Sequence, residues 1–160
     1  MPELPDVEHY RRFFRNHAAG KQVRYVWADP TIVRNATAEA LAAALVGHRF
    51  GEPCRHGKWL ICPTDGPVLL LHFGMTGDLI WSGDEALRHR HDRLTLAFTE
   101  GGELRYRNMR KLGGVWLAHD QGEQDGLIGS LGPEALAVGA VEFAERLDRR
   151  RGGVKAALMD

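Results

Sequence analysis

A chain of 160 residues, 44% hydrophobic and 26% charged, can bury one ordinary core and at most part of a second domain. Its 21 basic residues balance 21 acidic ones, which excludes overall electrostatic steering toward a polyanion, so contact with nucleic acid must come from local concentrations of charge. Cys54 and Cys62 are too few for a disulfide framework and unlike a zinc ribbon in spacing, no run approaches 18 apolar residues, and the acidic N-terminus is no secretory leader; a cytoplasmic protein is expected, with both cysteines in core or strand positions.

From Asp6 to Ala19, Val7, Tyr10, Phe13, Phe14 and Ala18 recur every three to four residues opposite Glu8, Arg11, Arg12 and Arg15. This predicts an amphipathic helix stopped by Gly20. Val23, Tyr25 and Trp27 alternate with Gln22, Arg24 and Val26, which predicts a strand. Thr37 to Val46 is alanine-rich and ends at Gly47, which predicts a second helix. Beyond Gly47 come short β-prone segments at Arg49 to Pro53, Trp59 to Cys62, Val68 to Phe73, Leu79 to Trp81, Leu94 to Phe98, Leu104 to Arg107 and Val115 to Ala118. Thr64-Asp65-Gly66-Pro67 and Thr99-Glu100-Gly101-Gly102 supply turns between them.

The pattern predicts an α+β fold, mainly a β-sandwich of about eight short antiparallel strands flanked by two helices. Asp120 to Gly129 is rich in Gly, Gln, Asp and Glu and reads as a linker. Helical periodicity returns through Phe143 and Leu147 and again from Val154 to Met159. The expected division is a domain over 1–121, a linker over 122–130 and the start of a helical domain over 131–160. Basic residues concentrate twice: Arg105, Arg107, Arg110 and Lys111, free of intervening acids, and Arg146, Arg149, Arg150, Arg151 and Lys155. Either run reads equally as a solvated face or as a polyanion contact.

The opening Met1-Pro2-Glu3-Leu4-Pro5-Asp6 carries the most specific chemistry. Removal of Met1 would leave Pro2 as a free secondary amine, and an α-amino group with an ordinary pKa near 8 keeps roughly a tenth of its population neutral at pH 7. Attack on a sugar C1′ or an aldehyde carbon gives an iminium whose fixed positive charge is an electron sink. Glu3 stands beside it as proton donor or acceptor. A plainer role also fits, in which Pro2 and Pro5 stiffen the lead into the helix and Glu3 and Asp6 favour its positive end.

This opening, closed by Asp6-Val7-Glu8, resembles the formamidopyrimidine-DNA glycosylase and endonuclease VIII family, whose members begin Met-Pro-Glu-Leu-Pro-Glu-Val-Glu or a near variant. Four further stretches resemble family motifs in the same order. Arg55-His56-Gly57-Lys58-Trp59-Leu60 is similar to Arg-Arg-Gly-Lys-Tyr-Leu, which implies that Lys58 approaches phosphate and sugar and assists elimination. His72-Phe73-Gly74-Met75-Thr76-Gly77 resembles His-Leu-Gly-Met-Ser-Gly, which places His72 in a DNA-contacting loop and makes Met75 the apolar wedge that fills the gap of a flipped nucleotide. Arg90-His91-Asp92-Arg93 resembles Lys-His-Asp-His, which implies a phosphate contact for His91.

Arg107-Asn108-Met109-Arg110-Lys111-Leu112-Gly113 aligns with Asp-Pro-Arg-Arg-Phe-Gly and departs from it. Arg110 takes the position that faces the orphaned partner base, Lys111 keeps a charge without the guanidinium fork, and Leu112 replaces an aromatic wedge. Leu131-Gly132-Pro133-Glu134-Ala135-Leu136 resembles the family's lead into a helix-two-turn-helix domain, in which Arg151 and Lys155 take phosphate-facing positions. The resemblance implies a bifunctional base-excision-repair glycosylase and apurinic/apyrimidinic lyase for oxidised purines (8-oxoguanine, formamidopyrimidine), with Pro2, Glu3 and Lys58 as catalytic residues. The alternatives are an endonuclease VIII-like enzyme for oxidised pyrimidines and a catalytically silent DNA-binding fragment. Damaged double-stranded DNA is the expected partner of a monomer that needs no metal or organic cofactor, a structural zinc belonging to a missing C-terminal finger. The expected location is the bacterial cytoplasm, at the nucleoid.

Overall fold

The computed structural model describes residues 1–83, 87–134 and 137–159, in two compact units, 1–130 and 131–160. In the first, helix α1 (Leu4–Ala18) precedes β1 (Val23–Ala28), α2 (Ala38–Leu45), β2 (Cys54–His56), β3 (Trp59–Pro63), β4 (Val68–His72), β5 (Gly77–Ser82), β6 (Asp92–Phe98), β7 (Glu103–Asn108), β8 (Gly114–Ala118) and α3 (Gln121–Ile128). The strands form two antiparallel sheets, ordered β1-β6-β7-β5 and β2-β3-β4-β8. Leu60, Leu69 and Leu71 of one and Leu94, Leu96, Phe98, Leu104 and Tyr106 of the other share a single core. The architecture is the expected α+β sandwich.

Helix α1 starts two residues before the periodic stretch because Pro5 suits a first turn and the Asp6 carboxylate accepts the Glu3 N–H at 2.7 Å. Its apolar side enters the core. Phe14, fully buried, meets Phe50 edge-on at 5.0 Å, and Tyr10 stacks on Phe73 at 4.2 Å while its hydroxyl donates to the Gly77 carbonyl at 3.1 Å. Burying one such ring is worth about 2–3 kcal/mol, which fixes the helix and the N-terminal residues it carries. Helix α2 matches its expected span, with the Thr37 hydroxyl accepting the Ala40 N–H at 3.1 Å.

Three expectations need correction. The alternation that predicts β1 changes phase within it: Val23 is buried, and a bulge between Val23 and Tyr25 then leaves Tyr25 51% exposed and buries Val26 and Ala28. Arg49 to Pro53 makes two isolated bridges, Gln22 to Arg49 and Phe50 to Thr64, and no strand, since Gly51 and Pro53 interrupt a ladder; the strand β2 begins at Cys54. Within Asp120 to Gly129, Gln121–Ile128 is the helix α3, capped by those two end residues. Leu70 of β4 faces away from the main core with Ile61 and Ala118, and Leu127 and Ile128 of α3 join Trp59 and Trp116 in covering that outer face.

The unit 131–160 contains α4 (Ala140–Asp148) and α5 (Val154–Met159), with a Glu142–Arg146 ion pair at 2.9 Å and no buried residue in α4. Ala135 and Leu136 of the Leu131-to-Leu136 motif lie outside the described residues. Among the described residues no helix is long and apolar enough to cross a membrane.

Candidate active site and nucleic-acid interface

The N-terminal motif and the Lys58 turn meet in space. Gly57 and Lys58 form the two-residue turn of the β2–β3 hairpin, with Gly57 at φ 55°, and the Lys58 ammonium lies 2.7 Å from a Glu3 carboxylate oxygen. Asp6 satisfies the Glu3 N–H, so the two acids divide the work: one holds the backbone and the other faces the lysine. Pro2 is half-buried beside them, and with Met1 attached its nitrogen is an amide.

Behind this pair lies a network that sequence reasoning missed. Glu8 accepts two hydrogen bonds from Arg11 and one from Arg12, each at 2.9 Å, and sits 3.6 Å from the buried Arg55 guanidinium, which donates to the Gly57 carbonyl at 2.8 Å. The Arg11 hydrogen bonds, against the cost of burial and with help from Arg12, hold the Glu8 carboxyl at about 2. Helix α1 and the lysine turn are thereby joined twice, through Glu3–Lys58 and through Glu8–Arg55.

His72, at the end of β4, pairs across the sheet with Trp59 and meets its ring edge-on at 5.2 Å. Burial, then the Lys58 ammonium, hold its imidazole below the ordinary value. A neutral ring is suited to a hydrogen bond, and Nδ1 takes one from the Gly74 N–H at 3.2 Å. His72 therefore shapes the turn that presents Met75, which is 41% exposed. Gly74 has φ +59°, and a Cβ there would stand 2.4 Å from the Gly113 nitrogen and 2.5 Å from the Leu112 carbonyl carbon, so the Met75 loop lies flush against the loop after β7. On that second loop Met109 and Leu112 are more than half exposed and Arg110 is exposed.

The four-residue basic run is mostly spent inside the molecule. Arg105, 4% exposed, lies 2.6 Å from Glu103 and 3.5 Å from Asp92; Arg107 lies 2.7 Å from Asp92; and the Lys111 ammonium turns to Asp29 at 3.1 Å. Only Arg110 of the four forms no ion pair among the described residues. His91 is half-buried beside Arg90 and Arg93, and burial followed by the charges of Arg90, His89, Arg93 and Arg107 holds its imidazole below the ordinary value. The structure thus brings Pro2, Glu3, Lys58 and His72 together, and sets Met75 beside Arg110 and Leu112 at the far end of the His72 turn. Arg151 and Lys155 are exposed in the other unit. A 290 Å³ cleft lined by Asn35, Leu117, His119, Glu123 and Leu127 holds none of these residues. Among the described residues no three His, Cys, Asp or Glu side chains converge to hold a metal ion.

A family profile for the formamidopyrimidine-DNA glycosylase N-terminal domain matches residues 1–115. The chain belongs to the formamidopyrimidine-DNA glycosylase family. It is 38% identical to the formamidopyrimidine-DNA glycosylase of Symbiobacterium thermophilum, over all of this chain and 54% of that protein, and 35% identical to that of Acidothermus cellulolyticus, over all of this chain and 59% of that one. Among solved structures, Lactococcus lactis Fpg in complex with DNA containing an abasic site aligns over 99% of this chain and 60% of its own, with a TM-score of 0.85 and 31% identity. MutM in complex with DNA containing carbocyclic 8-oxo-G aligns over 79% of this chain and 47% of its own, with a TM-score of 0.71 and 32% identity. The chain spans a little over half the length of the curated formamidopyrimidine-DNA glycosylases it matches.

Proposed function

We propose that this chain works on damaged double-stranded DNA as a glycosylase with lyase chemistry, using Pro2 once Met1 has been removed. The observation that carries the reading is the meeting of Glu3 and Lys58 at 2.7 Å beside Pro2, three residue types drawn from two distant motifs. Complexes of similar proteins with abasic and 8-oxo-G DNA support the choice of ligand. In the proposed reaction the Pro2 amine forms a bond to C1′ of a flipped nucleotide, and the base leaves with the electrons of its glycosidic bond. Glu3 takes the proton that the Pro2 nitrogen loses on bonding to C1′ and delivers it to the ring oxygen as the sugar opens to the iminium. Loss of a C2′ proton then lets the 3′ phosphate depart. Lys58, close to both Glu3 and His72, neutralises phosphate charge there.

Met75 fills the vacated space and Arg110 faces the orphaned base. An exposed Leu112 in place of an aromatic ring favours a second reading for the substrate, an oxidised pyrimidine rather than an oxidised purine, because it fills volume on the opposite strand without stacking on a base.

Borohydride trapping tests the proposal, run on material whose intact mass shows Met1 absent. Duplexes bear 8-oxoguanine, an oxidised pyrimidine or an abasic site. A covalent adduct with the abasic duplex is expected, lost when the terminus is blocked and reduced about 10²-fold in Lys58→Gln, the size of losing one electrostatic stabiliser. Absence of an adduct from Met1-free protein would sink the proline mechanism, and the stronger of the two lesion adducts assigns the substrate.

A further inference from the structure

We propose that Asn108 is a positioning residue: its buried side chain clasps the Met75 loop, the Arg110–Leu112 loop and the His91 segment into one rigid body, so that their tips enter DNA together. The inference rests on the DNA reading above and adds to it a residue that touches no DNA.

Asn108 ends β7 and has no exposed surface. Its carboxamide is fully used. Nδ2 donates to the Phe73 carbonyl at 3.2 Å and to the Tyr106 hydroxyl at 2.7 Å, while Oδ1 accepts from the Thr76 hydroxyl at 3.0 Å and from the Lys111 N–H at 2.9 Å. The orientation of the amide is fixed by its partners, since a backbone N–H can only donate and a carbonyl can only accept. The main chain of the same residue adds the third segment: its N–H donates to the His91 carbonyl at 2.9 Å, and its carbonyl accepts from Arg93 Nε at 3.1 Å.

Two neighbours extend the clasp. The Thr76 hydroxyl donates to Asn108 and accepts the Arg110 N–H at 3.0 Å, bridging the two wedge-bearing loops directly. The Tyr106 hydroxyl passes on to the His72 carbonyl at 3.0 Å, tying in the start of the Met75 turn. From outside, Arg34 Nη2 donates to the Lys111 and Gly113 carbonyls at 2.8 and 2.6 Å. This bracing has a reason. Lys111 is the only described non-glycine residue at positive φ, 53°, a conformation that a free loop would relax.

A gap in a duplex must receive Met75 from one loop and Arg110 with Leu112 from another. Loops that move independently pay for ordering at each insertion, whereas a clasped pair is ordered in advance. The clasp should therefore control preference for gapped over intact DNA, leaving general affinity for phosphates alone.

The test uses the 160-residue chain. Thr76→Val keeps the shape of the side chain and deletes both hydroxyl bonds, Thr76→Ser restores them, and Asn108→Ala removes the hub. In Thr76→Val, amide exchange at Arg110 should rise at least tenfold, with β6 and β7 amides unchanged, and the affinity ratio for a tetrahydrofuran-containing over an intact duplex should fall about tenfold while intact-duplex affinity stays within twofold. Thr76→Ser should recover both readouts. Asn108→Ala, if it folds, should raise exchange at Lys111 as well.

Unchanged exchange in Thr76→Val overturns the clasp, and raised exchange with an unchanged ratio overturns its positioning role. Equal loss on both duplexes shows a merely structural residue and also overturns it. A wild-type chain with no preference for the tetrahydrofuran duplex overturns the DNA reading and this role with it, while the exchange data still report the clasp itself.

Discussion

Asp29 lies between two cations, Arg93 at 3.0 Å and Lys111 at 3.1 Å, and accepts from the Thr31 hydroxyl at 2.7 Å and the Thr31 N–H at 3.0 Å. Burial alone would raise its carboxyl, but the Thr31 bonds and the Lys111 ammonium outweigh it and bring it from 3.8 to about 2. A carboxyl held down in the folded state adds stability that is fully present above 3.8 and is lost as pH falls through about 2. Asp29→Asn should therefore lower unfolding free energy at pH 7 by on the order of 2 kcal/mol, at about 1.4 kcal/mol per pH unit. In urea titrations the two proteins should converge below pH 2; a constant difference from pH 7 to pH 2 would show that the acid contributes no charge-dependent stability. Glu3 and Lys58 were legible as single residues because each sits in a compact motif. The diversion of Lys111 was not, because its partner lies far away in sequence on the loop after β1. Asn108 was no more visible, since its partners come from three separate segments.

At the scale of elements, α3 shows which signals composition hides. Its sequence, with Gly122, Gly126 and four polar residues, has poor helix propensity, so the segment reads as a linker. Two features outweigh that: Asp120 accepts the Glu123 N–H at 2.8 Å while Glu123 accepts the His119 N–H at 2.8 Å, and Leu127 and Ile128 have an apolar sheet face to cover. The Asp-x-x-Glu spacing was readable as a cap; the uncovered face was not, because the run Val68 to His72 does not reveal that it is buried on both sides. Asp120→Ala should cost about 1 kcal/mol, near 3 °C in Tm for a chain of this size. An unchanged melting curve would mean that Leu127 and Ile128 alone hold the helix. In β1 the alternation was legible and its phase was not, because one bulged residue exchanges the two faces.

For the molecule as a whole, zero net charge and internal pairing bear on how the DNA binding proposed above would depend on salt. Sequence counting assigns four cations to the stretch Arg105 to Lys111, but three are matched to Glu103, Asp92 and Asp29 and serve the fold before any ligand arrives. On the three segments that carry Met75, Arg110 and His91, the cations that meet no acid among the described residues are Arg110 and Arg90, with Lys58 available once a phosphate competes with Glu3. About three neutralised phosphates give a slope of log affinity against log salt of about −2.7, or roughly a 40-fold loss between 50 and 200 mM. Contacts from Arg151 and Lys155 in the other unit would steepen it by about 0.9 each. Neutralising single residues separates the contributions: Arg110→Gln should flatten the slope by about 0.9, whereas Lys111→Gln should leave it unchanged, since that ammonium is already satisfied by Asp29 at 3.1 Å. Equal flattening in both variants would show that DNA pulls Lys111 away from Asp29, and in that case Asp29→Asn should tighten binding by freeing the lysine.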